Sequence, residues 1–334
     1  NAPWTAIFTH THHTRLEFIT NSIVYLSSLF PLSIGPLITT YLSLLIQLLP
    51  VVVLLGFRKQ LSLHPLALGV FLVLLAGMPQ ANEVMANSIN LHFHFTFLAA
   101  LILILPDVSG KARYALRLLL FLCGLSGAPP NILLPIFFLK AIIDRQRESW
   151  IYFAIMSVTT LIQIGLLSLG VAESTSREPS FNPMLTVFAL FTQQILAPLY
   201  DIGFATQVAT WLKDHLEATS LMVASLSFFI AIYSLFIAWV LKSDCRPCRY
   251  LILCIFILVL VTSLVAIGGT TGLITNGYGN GRYFYGPNAI FYLVLCFAFS
   301  RYINGLSFKN GFSLKNLVNG GEATPRINKV FSYL

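Results

Sequence analysis

Residues 79–105 read PQANEVMANSINLHFHFTFLAALILIL, and the reading of this stretch decides the fold. An unbroken apolar segment follows a first half that carries Glu83, Asn87, Asn90 and His94. At about 100° per residue, spacings of four, three and four set these side chains within an arc of roughly 60° on one helix face, with His92 on the opposite side. In such a helix His94 lies about 16 Å along the axis from Glu83. Polar groups in hydrocarbon must find partners. The stripe is therefore expected to line a wet or substrate-filled site opening at one membrane face, or to bond to neighbouring helices.

The rest of the composition agrees with a membrane setting. The 334 residues are 57% hydrophobic and 10% charged, against about 25% charged in a soluble protein. Several apolar runs exceed the roughly 18 residues that mark a spanning helix. The fold class expected is all-α, a polytopic transmembrane helical bundle of about 9–11 membrane helices. A β-barrel is excluded, since barrel strands alternate in polarity. The chain opens on Asn1 without a signal-peptide pattern, so upstream sequence is expected to precede it.

Nine runs are read as crossings: 34–57, 66–78, 80–105, 114–125, 132–143, 150–172, 220–241, 250–268 and 286–300. The runs 16–32 and 184–200 are doubtful. Residues 1–305 form the transmembrane domain, with 1–33 as an extracytoplasmic or interfacial entry, and 306–334 form a polar cytoplasmic tail. Gly124-Leu-Ser-Gly-Ala-Pro-Pro-Asn131 breaks the helical pair around it and leaves backbone groups needing partners. The five basic segments at 58–59, 111–117, 140–147, 242–249 and from Arg301 onward hold two, three, three, three and five of the 20 Lys and Arg residues. Basic loops stay cytoplasmic. All five share that side only if 184–200 is re-entrant or interfacial rather than a full crossing. Seven of the twelve acidic residues, Glu17 and Glu83 among them, then fall on the outer side, and so does Arg282.

The net charge of +8 follows this topology and does not point to nucleic acid. Cys245-Arg-Pro-Cys248 has no second pair to complete a four-ligand zinc site and reads as a loop pair without function. His10, His12, His13 and Glu17 are ligand types for a metal, though a flexible polar end suits them better; a divalent metal ion is an open cofactor. Glu83 is the candidate catalytic base: partial burial at the mouth of an apolar helix would raise its pKa. A solvated helix-start carboxylate is the plainer alternative. Arg282, in Gly279-Asn-Gly-Arg-Tyr-Phe-Tyr-Gly-Pro287, can bind a phosphate bidentately. Asn87, Asn90, His94, Tyr283 and Arg15 complete the candidate substrate-binding set. Asp201, at a helix end, is a weaker candidate.

Three segments resemble bacterial multi-pass enzymes of the GT-C glycosyltransferase superfamily. The first is His13-Thr-Arg-Leu-Glu17, leading through Leu29-Phe-Pro31 to a span ending at Arg58. The second is Glu83-Val-Met-Ala-Asn87 with Asn90 and His92, followed by Gly124-Leu-Ser-Gly127. The third is Arg282-Tyr-Phe before the last span. The resemblance implies a GT-C-like bundle in the bacterial inner membrane, working on the cell envelope with membrane lipid around it. The donor it implies is a polyprenyl-phosphate sugar, with Arg282 on the carrier phosphate and Glu83 in the acceptor or catalytic pocket. The family's acidic residue lies in the first external loop. Here it is expected upstream of Asn1, or the protein is a non-catalytic relative. The rival expectations are a transporter or lipid flippase using the stripe as a polar pathway, and a structural subunit of a larger membrane assembly with membrane-protein partners.

Overall fold

The structure is a computed structural model and describes residues 4–9, 11–12, 15–169, 183–215, 219–242, 245–267 and 281–310. It divides the stretch at 80–105 into two helices. α6 (Ala81–Val84) stops at Met85, whose backbone turns extended, and Ala86 enters the left-handed region at φ 57° before α7 (Leu91–Ile104) begins. Short polar side chains cause the break by competing for the backbone. Asn87 Oδ1 accepts from the Ile89 N–H at 3.0 Å, and Asn90 Nδ2 donates to the Glu83 carbonyl at 2.7 Å. Gln47, buried on α3 (Gly35–Gln47), fastens the loop. Its Nε2 donates to the carbonyls of Val84 (2.9 Å) and Asn87 (3.3 Å), and its Oε1 accepts from the Ala86 N–H (2.9 Å). Glu83, Asn87, Asn90 and His94 therefore do not share one helix face.

Every residue of α7 is buried. A helix apolar on all sides belongs in the interior, and α7 is the axis of the main core, which also takes in Leu54, Phe71, Leu120, Phe137, Leu251 and Leu293. Around it lie α4 (Leu49–Gly56), α5 (Pro65–Ala76), α8 (Lys111–Leu125), α9 (Ala128–Asn131) and α10 (Leu134–Asp144). The shell continues with α11 (Arg147–Leu169), α16 (Arg246–Val261) and the last helix, α17 (Arg282–Asn310). Before them come α1 (Ala6–Thr9), α2 (Phe18–Ser28) and a two-residue hairpin that pairs β1 (Thr11–His12) with β2 (Arg15–Leu16). Every other described element is helical.

Among the described residues four helices are long and apolar enough to cross a membrane: Gly35–Gly56, Arg147–Ser168, Arg246–Leu264 and Arg282–Gly305. Pro65–Ala76, Leu91–Ile104, Val187–Leu199 and Ser227–Lys242 are apolar but shorter. Leu45, Leu161, Leu167 and Phe256 stand 60% or more exposed on the outer faces, as in a protein surrounded by lipid. α17 continues to Asn310, past the boundary expected at residue 305, while 311–334 lie outside the described residues.

The segment at 184–200 does not form one straight helix. α12 (Pro183–Leu190) passes into a π-helical turn, Phe191–Leu196, then α13 (Ala197–Leu199). α14 (Ile202–Asp214) runs back antiparallel, with Ala205 against Leu196 and Ala197, and Leu212 against Phe188. α15 (Thr219–Lys242) adds Phe229 to that cluster.

Polar contacts gather at the two ends of the bundle. At one end the Arg117 guanidinium grips Glu148 (2.9 and 2.6 Å), Arg113 reaches Asp107 (3.5 Å), and Lys140 Nζ caps α7 through the Leu103 and Leu105 carbonyls. Arg246 and the Tyr250 hydroxyl both bond Asp144, and Ser300 Oγ accepts from the His64 N–H. Arg113, Arg117, Lys140 and Arg246, from three of the basic segments, meet here. At the other end α8 finishes at Leu125 and the chain turns at Gly127 (φ 126°) into α9. The carbonyls freed by that turn find side-chain partners: Asn131 Nδ2 donates to Gly124 (2.7 Å) and Gly127 (2.9 Å), Gln163 Nε2 donates to Gly124 (3.3 Å), and Asn131 Oδ1 accepts from the hydroxyls of Thr159 and Thr160.

A Cβ on Gly124 would lie 2.1 Å from Thr159 Oγ1 and 2.6 Å from its Cβ. Gly124→Ala should lower stability by about 1–3 kcal/mol, as overpacking does. Thr159→Gly in the same chain should recover part of that loss, read as the thermal midpoint in detergent.

Candidate functional site

The end of the bundle opposite the basic cluster holds the candidate site. α17 begins at Arg282, where the first backbone N–H groups have no partner within the helix. Glu83, on α6, supplies one: its Oε2 accepts from the Arg282 N–H at 3.4 Å. Its Oε1 is buried and has no partner among the described residues. Burial holds the Glu83 carboxyl above the ordinary glutamate range, while the N–H groups of Arg282 and Gly281 and the Arg282 charge pull the other way. The Arg282 guanidinium lies over the Tyr283 ring, 5.3 Å from its centroid, and that ring meets Phe93 of α7 edge-on. Two candidates 199 residues apart thus adjoin, with Tyr283 beneath them.

The remaining candidates divide. Asn90 bonds the Glu83 carbonyl and so holds α6 in place, and the Asn87 side chain is turned onto its own loop. His94 is 2% exposed and sits inside the bundle, its Nδ1 3.1 Å from the Tyr285 hydroxyl, so it does not line a surface with Glu83. Arg15 pairs with His12 through the backbone of the hairpin, and its side chain lies outside the described residues. Asp201 caps α14, accepting from the Phe204 N–H at 2.6 Å.

A second carboxylate was not legible in the sequence. Glu17 is 2% exposed, and its Oε1 lies 3.8 Å from His92 Nδ1. The strand pairing that follows the hairpin sets Glu17 against the backbone of Ser126. Gln163, on α11, locks the neighbouring residue by accepting from the Leu16 N–H (3.0 Å) and donating to the Leu16 carbonyl (2.9 Å). Gly127 completes the enclosure, since a Cβ there would lie 2.9 Å from His92 Cβ. Thr20 donates to the Ser88 carbonyl, joining this pocket to the 85–90 loop that follows Glu83 and α6. The usable signal was Gln163, a lone amide inside an apolar run. His92 meets Glu17.

Beside the site, the π-helical turn frees the Gln193 carbonyl, which accepts from both Gln80 Nε2 and Asn288 Nδ2 at 2.9 Å. π-turns recur at functional positions. Gln194 Oε1 accepts from the Tyr233 hydroxyl. Among the described residues no group of three or more His, Cys, Asp or Glu side chains is placed to hold a metal ion, and His10 and His13 lie outside them.

A carboxyl whose pKa is raised in the fold contributes stability below its unfolded pKa and loses it as pH rises through the folded value. Glu83→Gln keeps the acceptor for Arg282 and removes the charge. The thermal midpoint of the variant relative to wild type should therefore rise from pH 4 to pH 7. A flat difference would mean that the Glu83 carboxyl is not perturbed.

Compared with known proteins, the chain matches no family model, no curated protein and no solved structure.

Proposed function

We propose that this chain is a multi-pass glycosyltransferase of the bacterial plasma membrane, a GT-C-like bundle of nine to eleven membrane helices with a cytoplasmic C-terminus. It moves a sugar from a polyprenyl-phosphate donor to an acceptor hydroxyl at the extracytoplasmic face. The observation that carries this reading is Glu83. One of its oxygens is anchored at the start of α17, the other has no partner among the described residues, and a guanidinium stands alongside. Gathering the basic segments at the opposite end supports the sidedness, because basic loops stay cytoplasmic.

In this mechanism Glu83 takes the proton of the acceptor hydroxyl. The hydroxyl oxygen attacks the anomeric carbon from the face opposite the phosphate, and the bond from that carbon to the phosphate oxygen breaks with its electrons on the phosphate. Arg282 and the positive end of the α17 dipole stabilise the departing anion. A carboxyl held above its ordinary pKa is a stronger base when ionised, which suits the first step. Glu17, buried beside His92 and linked to the same loop, is the second acid group and the alternative base.

A structural-subunit reading draws on a different observation: Asn90 and His94 are 5% and 2% exposed, their polar atoms turned into the bundle. A lipid-linked sugar transfer assay in nanodiscs, with a panel of polyprenyl-phosphate sugars and mass-spectrometric detection, separates the two. Wild type should transfer. Glu83→Gln should lose about 10²–10⁴-fold, the usual weight of a general base, and Arg282→Ala should fall with it. If Glu17→Gln falls and Glu83→Gln does not, the base is Glu17. A folded wild-type protein that transfers nothing from any donor favours the structural subunit.

A further inference from the structure

The second cluster lies at the basic end. The structure joins Cys245 to Cys248 in a disulfide, where the sequence reads a loop pair without function. Cys245 is the residue that caps α16, and Cys248 lies in its first turn. The first N–H groups of a helix and their dipole favour a thiolate at such a position. Cys245 and Cys248, 3% and 2% exposed, line a cavity of about 320 Å³ that opens between Trp239 of α15 and Arg301 and Tyr302 of α17. Trp239 and Tyr302 are exposed at its mouth. Lys242, Arg246 and Arg249 lie in the same short stretch as the pair, against the one acidic residue of that stretch, Asp244, and Arg301 lines the cavity, so the approach carries a net positive charge; Asp144 is bonded to Arg246. Cys123, Cys254 and Cys296, the other cysteines, are buried and free.

The position of this disulfide conflicts with a purely structural role. It shares its end of the bundle with Asp144, Glu148 and the basic segments, which the sidedness proposed above assigns to the cytoplasm. Disulfides in a reducing compartment are transient, and serve catalysis or redox sensing. We propose that Cys245 and Cys248 form a reversible dithiol–disulfide couple that exchanges with an anionic low-molecular-weight thiol through this cavity. The sidedness clause rests on the functional reading; the cavity and the bonded pair do not.

The exchange balances without a metal or other cofactor. A thiolate of the small partner attacks one sulfur of the pair. The bond between Cys245 and Cys248 breaks and a mixed disulfide forms, with the displaced sulfur leaving as thiolate. A second molecule of the partner then attacks the mixed disulfide and releases the oxidised partner, leaving both cysteines reduced. Two electrons pass from two small thiols to the protein disulfide, and the reverse steps reoxidise it. Arg301 attracts the carboxylates of the partner.

The test uses the full chain in its own membrane. Acid-quenched cells are alkylated and the mass shift of the Cys245–Cys248 peptide is read before, during and after a pulse of diamide. The pair should be largely reduced in growing cells, oxidised by the pulse, and reduced again after washing. In nanodiscs, reduced glutathione at pH 7.5 should reduce the oxidised pair at least several-fold faster than cysteamine, which is cationic. Arg301→Gln should narrow that ratio, and Cys245→Ser given oxidised glutathione should trap a glutathione adduct on Cys248, releasing one molecule of reduced glutathione. A pair that stays oxidised throughout the pulse experiment and resists both thiols is a structural disulfide, and that result overturns the proposal. A membrane-impermeant maleimide on intact cells reports sidedness separately. Labelling of a cycling pair from outside would overturn the topology and leave the dithiol chemistry standing.

Discussion

Backbone polar groups in an apolar bundle must be paired inside the protein, and here buried carboxamides pair them wherever the chain leaves the helix. Gln47 serves three groups of the 85–90 loop, Asn131 holds the two carbonyls freed at Gly124 and Gly127, and Gln163 bonds both polar groups of Leu16. Gln80 and Asn288 converge on the carbonyl released by the π-helical turn. An amide suits each position because it donates and accepts at once and carries no charge to desolvate. Without these side chains each break would strand donors and acceptors at a cost of about 1–3 kcal/mol per group. The breaks that shape the candidate site are thus held by residues that take no part in its chemistry.

That constraint explains which parts of the fold were legible. The apolar runs announce the spanning helices because burial in lipid tolerates little else, and the Gly-Pro cluster at 124–131 announces its break. The stripe at Glu83, Asn87, Asn90 and His94 misled because its helical period is real in the letters but interrupted in space. Two asparagines offer the backbone better local partners than a helix does. Gln47, which completes the interruption, lies in a different helix, and no local pattern connects them.

The site was legible in its members and not in its pairings. Glu83 and Arg282 each stood out as charges at the edge of an apolar run, but only the packing of α17 against α6 brings them together. Glu17 and His92 were discounted separately: one lay in a polar entry, the other on the far side of an imagined stripe. Their encounter depends on the hairpin and on Gly127, whose missing Cβ lets the turn approach His92. Local periodicity carries no information about contacts of this range.

The two ends of the bundle solve opposite electrostatic problems. At the basic end, charges are matched side chain to side chain: Arg117 with Glu148, Arg246 with Asp144, Arg113 with Asp107. Desolvation there is offset within each pair, and the result is a fixed surface. At the other end the matching is incomplete. Glu83 engages the backbone of Arg282 through one oxygen, Oε1 is buried with no partner among the described residues, and Arg282 rests on a tyrosine ring. A buried carboxylate oxygen left unpaired costs stability and persists only where surrounding structure holds it. The carboxamide scaffold is what does so here: Asn90 grips the Glu83 carbonyl while Gln47 grips the residues on either side of the break. A rigid neutral frame around an under-paired charge is the arrangement expected of a group kept ready for a ligand.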